Sequence, residues 1–377
     1  MSFRLAVSAP LLFLMAAPVF AVQTNSPEAS KTPIKLTTVA EGLENPWGLQ
    51  FLPDGRYLVT ERPGRLRVVE KDGKLSPPIK GVPEVYAQGQ GGLLDVALAS
   101  DFAESGRLFL SYAEPRGEGK AGTSVARAKL VLGPEGGELQ DVTVIFRQEP
   151  AIVSPNHFGS RIVVTPDGTL FVTTGDRFKA RPEAQNPAST VGKVVHITAD
   201  GAPVSEKPVK DGWDPKVWSI GHRNMQGATY DAAAKRLWTI EHGAQGGDEL
   251  NHPEAGKNYG WAVITYGKDY SGEKIGEGTS KPGMEQPVYY WDPSIAVSGL
   301  ALYTGDLFPE WKGNLLVGSL KFMQVQRLVL KDGEVIAHEV LADDIGERVR
   351  DVRQGPEGAV YVLTDDSNGR LVRIEPK

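Results

Sequence analysis

Six short runs in this chain are built alike, and their recurrence limits the fold more than any other feature. They are Tyr57-Leu-Val-Thr-Glu-Arg62, Leu108-Phe-Leu-Ser-Tyr112, Leu170-Phe-Val-Thr-Thr174, Leu237-Trp-Thr-Ile-Glu241, Leu315-Leu-Val-Gly-Ser319 and Val360-Tyr-Val-Leu-Thr364. β-Branched and aromatic residues dominate each run, and each ends in a small or polar residue, as short strands do. The turns Pro53-Asp54-Gly55, Pro166-Asp167-Gly168 and Pro356-Glu357-Gly358 precede three of them, with Gly106, Ala234 and Gly313 near the matching places in the others. Proline presets the φ of such a turn and glycine takes its left-handed position. Every interval between runs is long enough for a four-stranded antiparallel sheet and its loops, so the repeat predicts an all-β, six-bladed β-propeller. With 43 glycines, 27 prolines and no long amphipathic stretch, a helical or doubly wound α/β fold has little support, and two packed β-sandwiches are the alternative. With the six runs as innermost strands, the residues just after them surround one axial opening: Glu61-Arg62, Ala113-Glu114, Gly175-Asp176, His242-Gly243, Leu320-Lys321 and Asp365-Asp366.

The 377 residues, 40% of them hydrophobic, suffice for a full core. The opening stretch MSFRLAVSAPLLFLMAAPVFA carries one arginine, an apolar run and the small-x-small end Val19-Phe20-Ala21, the pattern of a secretory signal. The expected organisation is a signal peptide over residues 1–21, a polar, disordered lead-in over 22–35, and a single propeller over 36–377. That apolar run is shorter than the roughly 20 residues that cross a bilayer, so no membrane insertion and a periplasmic or secreted location are expected. An uncleaved anchor is the alternative, although no charged stop-transfer flank follows. The absence of cysteine excludes disulfides, thiol nucleophiles and zinc–cysteine sites. A net charge of −6 without a Lys/Arg block argues against nucleic acid as a partner. The segment after Tyr266, GKDYSGEKIGEGTSKPG, has no apolar patch, which favours a monomer.

Five segments set polar residues against glycine: Gln88-Gly-Gln90-Gly-Gly92, Asn156-His157, Gly221-His-Arg-Asn224, Glu241-His-Gly-Ala-Gln-Gly-Gly-Asp-Glu249 and Glu347-Arg-Val-Arg-Asp351. Singly, each has an ordinary structural explanation: a capped loop, the solvated face of a strand, a hydrogen-bonded histidine. Together, in this order, GQGGLLDVAL, NHFGSRIVVTPDGTLFVTTGDR, GHRNMQG, EHGAQGGDELN, GKNYGW, GSLK and ERVRDV resemble the soluble quinoprotein sugar dehydrogenases of the glucose/sorbosone dehydrogenase family, over about residues 36 to 375. The resemblance is strongest to exported bacterial aldose sugar dehydrogenases, six-bladed propellers that use pyrroloquinoline quinone (PQQ) and calcium.

That resemblance implies a role for each matching position. His157 matches the general base that takes the proton of the anomeric hydroxyl while hydride leaves C1, and Asp176 the carboxylate that orients it. An imidazole titrating near ~6.5 suits that task at neutral pH. Gln90, Arg223, Asn224, Lys321, Arg348 and Arg350 match cofactor-binding positions, together with His157; a planar tricarboxylate calls for such cations and amides. Arg223 is expected beside the quinone oxygens, countering the negative charge that develops there. The Gly243 and Ala244 carbonyls match ligands of a calcium ion that bridges to PQQ, and Glu249 and Tyr259 a second, structural calcium site. Ala244 replaces a proline of the soluble glucose enzymes. Asp248 is a weaker ligand candidate or a local cap, His222 a structural residue, and Trp261 and Trp291 either stack on ligand or pack the blades.

The expected activity is PQQ- and calcium-dependent oxidation of the C1 hydroxyl of an aldose to a lactone, with electrons passed to an external acceptor. A calcium-dependent lactonase or other hydrolase on the same architecture, and a non-catalytic binding platform, are the alternatives. Within Ser154–Arg177, a hairpin turning at Pro166-Asp167-Gly168 is expected to bring Asp176 level with His157, leaving Arg161 and Asp167 as structural residues.

Overall fold

A computed structural model describes residues 26–133, 136–205 and 207–377; the signal peptide expected over residues 1–21 lies outside the described residues. Six antiparallel sheets follow one another along the chain, with little helix besides the short turns Phe102–Ser105, Arg181–Gln185 and Pro309–Trp311. Each sheet opens with a strand that lies against the opening strands of the sheets on either side: Pro46–Phe51, Leu93–Leu98, Gly159–Val164, Met225–Asp231, Val297–Leu302 and Val349–Gln354. These six close a ring around an axis, which is the six-bladed β-propeller read from the repeat.

The six repeated runs are therefore not the innermost strands. They form the second strand of each blade, paired antiparallel to the opening strand, as in Phe171↔Val163 and Val172↔Ile162. The sequence rule missed this because second strands are flanked by the recurrent turn, whereas opening strands begin in irregular loops. The functional consequence survives. A second strand returns the chain to the end at which the opening strand began, so its exit and the loop before its partner share one face of the ring. The turns themselves are as expected: Gly55, Gly168 and Gly358 have φ of 86°, 81° and 90°, and their N–H groups bond Leu52, Thr165 and Gly355 carbonyls, each at 2.9 Å.

Five sheets have four strands. The blade of Pro46–Phe51, Tyr57–Glu61 and Arg65–Val69 has three regular strands, and its outer edge is met by an irregular segment, with Ser76 N–H on Val68 O and Ile79 N–H on Leu66 O, both at 2.8 Å. The ring is closed by the chain ends: Ile34–Leu43 runs antiparallel to Gly369–Pro376, from Ile34↔Pro376 to Leu43↔Gly369. The expected disordered lead-in is corrected over residues 26–35. Ser26 Oγ lies 3.1 Å from His338 Nδ1, Ala29 N–H bonds His338 O at 2.7 Å, and Trp311 Nε1 donates to Thr32 Oγ1 at 3.0 Å. Polar residues without periodicity are ordered here because the edge strand Glu334–Leu341 offers them unpaired backbone groups.

The core lies between blades. One cluster joins Leu58 and Leu66 of one blade to Val96 and Leu110 of the next, and another joins Trp238 and Ile240 to Leu300 and Val317. Each such side chain contributes roughly 1.5–3 kcal/mol. With no disulfide, this inter-blade packing holds the mouth loops in register.

Candidate active site

His157 stands just before the opening strand Gly159–Val164 and Asp176 just after its partner Leu170–Thr174. The hairpin brings His157 Nδ1 to 2.6 Å from Asp176 Oδ1, nineteen residues apart in sequence, as expected. His157 takes a left-handed φ of 55°, stabilised by its N–H on Gln90 Oε1 at 2.8 Å. Asp176 is buried; its Oδ1 also accepts Phe178 N–H at 2.8 Å and its Oδ2 accepts the Trp261 indole N–H at 2.7 Å. Burial opposes the Asp176 charge, but the hydrogen bond and charge of His157 and the nearby Arg223 hold its pKa below the ordinary value. An ionised carboxylate only accepts, so the imidazole proton sits on Nδ1 and Nε2 keeps a lone pair. Among the described residues Nε2 has no hydrogen-bond partner. Burial, aided by Arg223 and Arg177 against the pull of Asp176, lowers the His157 pKa below 6.5. The result is a neutral imidazole whose orientation is fixed by Asp176.

The axis end nearby holds a cavity of about 200 Å³ lined by Trp47, Arg62, Gln90, Gln226, His242, Arg348, Arg350 and Asp365, among others. Arg350 is buried, with Nη2 2.5 Å from Asp365 Oδ2 and Nη1 donating to Gln226 Oε1 at 3.2 Å. Arg348 is half-exposed and 3.7 Å from the same carboxylate, whose pKa the surrounding arginines hold down at about 2 against its burial. Arg223 is buried, its Nη1 donating to His242 O at 3.2 Å and its guanidinium 5.2 Å from the Trp261 ring. Its Nε and Nη2, the Nε of Arg350 and the Nε of Arg62 are buried without a partner among the described residues. Unpaired buried donors of this kind cost free energy unless a ligand meets them. Asn224 Oδ1 accepts Gly159 N–H and Gln226 Nε2, both at 3.1 Å, tying the two opening strands together. Leu320 lines the cavity, while Lys321 is exposed beside it, its Nζ on Ser294 O at 3.1 Å.

Behind this wall lies a second set of charges. Arg161 is fully buried, pairing with Asp95 at 3.2 Å and Asp351 at 3.0 Å, and Arg353 reaches the same two carboxylates at 3.0 and 2.9 Å. Arg161 thus is structural, as expected, and so is Asp167, bonded within its turn to Thr169.

In the loop after Glu241, Gly243, Glu249 and Tyr259 line one small void with Arg223, His242 and Trp261, so these predicted positions are brought together. Ala244 is buried against Ala184, Trp261 and Ile275. Asp248 acts as a cap: Oδ1 accepts Gly243 N–H at 2.9 Å and Oδ2 accepts Ser294 Oγ at 2.8 Å. Burial and the neighbouring Glu241 and Asp248 push the Glu249 carboxyl up to about 8. No group of three or more His, Cys, Asp or Glu placed to hold a metal occurs among the described residues. The donors near this void are carboxylates and carbonyls, which suit a hard cation rather than a transition metal. His222 is structural, with Nδ1 2.9 Å from Glu241 Oε1, Nε2 2.9 Å from Ser219 Oγ, and its ring stacked on Tyr259.

The two tryptophans part company. Trp291 packs a blade, edge-on to Tyr289, whereas Trp261 belongs to the site through Asp176 and Arg223. The sequence leaves Trp261 between stacking on a ligand and packing the blades, and nothing in its local sequence discloses the long-range bond to Asp176. Arg62, His242 and Asp365 were likewise unassigned, yet all three occupy strand exits, where the repeat itself pointed.

Residues 43–373 match the family model described as Glucose / Sorbosone dehydrogenase. The aldose sugar dehydrogenase YliI of Escherichia coli (strain K12) is 43% identical, over 93% of this chain and 95% of the relative. The solved apo-form of the soluble aldose sugar dehydrogenase of Escherichia coli aligns with a TM-score of 0.87 at 43% identity, covering 91% of this chain and 100% of the other. The PQQ-bound aldose sugar dehydrogenase of Streptomyces coelicolor aligns with a TM-score of 0.76 at 27% identity, covering 92% and 100%.

Proposed function

The chain belongs to the glucose/sorbosone dehydrogenase family of oxidoreductases, and from that premise we propose that it oxidises the C1 hydroxyl of aldose sugars to lactones with PQQ and calcium. The observation that carries this reading is the juxtaposition of a neutral, carboxylate-anchored histidine with buried arginine donors that lack partners. Those donors suit a polyanionic planar cofactor: Arg223, Arg348, Arg350 and Lys321 supply positive charge, and Gln90 and Asn224 amides. Glu249, Tyr259 and the carbonyls of Gly243 and Ala244 are the oxygen donors for calcium, and the excess carboxylate charge around Glu249 fits a divalent cation. When bound, PQQ supplies a two-electron acceptor for hydride, and calcium supplies Lewis acidity at it.

The protein's own part is to hold and move a proton. Nε2 of His157 accepts the C1 hydroxyl proton as the C–H bond yields its hydride, and Asp176 stabilises the imidazolium that forms. Arg223 opposes negative charge developing beside it. The electrons then leave to an external acceptor, and export through the N-terminal signal places the enzyme in the periplasm or outside the cell, as a monomer. A hydrolase would need acidic metal ligands around the axis, and the axial cavity has one carboxylate, Asp365, among several cations.

The test is reconstitution of the cofactor-free protein with PQQ and calcium, followed by aldose-dependent reduction of a dye. Dye reduction that His157→Ala abolishes is expected. No dye reduction with any aldose, together with no PQQ absorbance retained after desalting, would sink the proposal; lactone hydrolysis with calcium alone would replace it.

A further inference from the structure

Lys193 opens the strand Lys193–Ile197 and is fully buried, yet it forms no ion pair among the described residues. Its Nζ donates to three carbonyls instead: Glu183 at 2.7 Å, Ala184 at 3.1 Å and Val191 at 2.5 Å. Three acceptors use the full donor capacity of an ammonium. Glu183, the charged group that acts on it, has its carboxylate turned to Asn186 Nδ2 at 3.0 Å. Burying an ammonium without a carboxylate is costly, and burial lowers its pKa to about 7.

What that cation gathers leads to the base. The carbonyls of Glu183 and Ala184 belong to the turn Arg181–Gln185. Ala184 O also accepts Gly221 N–H at 2.9 Å, two residues before Arg223. Gln185 Nε2 donates to Trp261 O at 2.7 Å, and Trp261 N–H bonds Gly221 O at 3.0 Å. The indole of that tryptophan is the donor to Asp176 Oδ2. On its other side, the Lys193 N–H bonds Thr174 Oγ1 at 3.0 Å and Gly192 N–H bonds Gly175 O at 3.0 Å, on the strand end that carries Asp176. Lys193 therefore joins both supports of the carboxylate.

We propose that Lys193 is a positioning residue for the His157–Asp176 pair: its ammonium fills the place of an internal metal ion, gathering backbone carbonyls so that Trp261 is seated on Asp176. The inference rests on the reading of His157 as the base, but its test does not need turnover. Removing the indole donor leaves more of the Asp176 charge for the imidazolium, so His157 titrates higher. The charged groups facing His157 are Asp176, Arg223 and Arg177, and none of them is altered.

The experiment follows the His157 imidazole resonance against pH in the cofactor-free full chain, assigned with His157→Ala, for wild type, Lys193→Met, Trp261→Phe and the double variant. Lys193→Met and Trp261→Phe are each expected to raise the His157 pKa, by about half a pH unit or more, and the double variant no further than Trp261→Phe alone. An unchanged titration in Lys193→Met, or additive shifts in the double variant, overturns the proposal. Gln185→Ala cuts the same link with Lys193 intact and decides the matter if Lys193→Met does not fold: the same upward shift supports the proposal and an unmoved titration overturns it. A shift in a protein without dehydrogenase activity would remove the proposed function and leave this inference standing.

Discussion

Two buried histidines in this protein are built to nearly the same plan and differ in what their second ring nitrogen meets. His157 and His222 each stand just before an opening strand, and each sets Nδ1 against a buried carboxylate at the exit of a second strand, Asp176 at 2.6 Å and Glu241 at 2.9 Å. The difference lies at the other nitrogen. His222 Nε2 is 2.9 Å from Ser219 Oγ and its ring is stacked on Tyr259, whereas His157 Nε2 has no partner among the described residues and stands beside Arg223. The carboxylate partner alone therefore does not tell the two histidines apart; the far nitrogen does. Arginines repeat the lesson: Arg161 and Arg353 share Asp95 and Asp351, while Arg223 keeps two buried nitrogens unmet.

The sharpest way to break the comparison is to truncate both histidines. His157→Ala is expected to lower kcat of the reconstituted enzyme by about 10²–10⁴-fold with little change in melting temperature; a change below tenfold would make the two histidines equivalent. Arg223→Met is expected to cost about 10²–10³-fold in kcat and to weaken PQQ retention, measured by absorbance after desalting, whereas no loss would mean that its unmet nitrogens serve nothing. His222→Ala should act through stability, by roughly 2–4 kcal/mol in denaturant unfolding, since it leaves a cavity and orphans Ser219 and Glu241. Below its melting transition it should keep most of its kcat. The smallest effect concerns pH. The neutral imidazole is the working form and burial lowers its pKa, so activity should persist as pH falls through 6.5 and be lost only below it. An acid limb centred above 6.5 would mean that the Asp176 charge outweighs burial.

The number of blades was legible because one turn chemistry recurs before second strands; their rank within the blade was not, because the opening strands follow loops shaped by the site instead of by a repeat. The hairpin logic placed His157 and Asp176 together from local sequence alone. Trp261 and Lys193 were illegible for the opposite reason. Their partners, Asp176 for one and the Glu183 to Ala184 carbonyls for the other, are set by how loops meet in space, and neither residue type signals that by itself. Residues 26–35 misled because polar composition hid an edge strand waiting to be paired.

The most direct test of the central claim, that the open nitrogen of His157 is the base for aldose oxidation, is an anaerobic single-turnover measurement on protein reconstituted with PQQ and calcium. The rate of PQQ reduction is followed with C1-protiated and C1-deuterated aldose, in wild type and His157→Gln. The account predicts a primary isotope effect in wild type and a slowing of about 10²-fold or more in His157→Gln, with PQQ still bound. Reduction at the wild-type rate in His157→Gln, with cofactor retained, would contradict it.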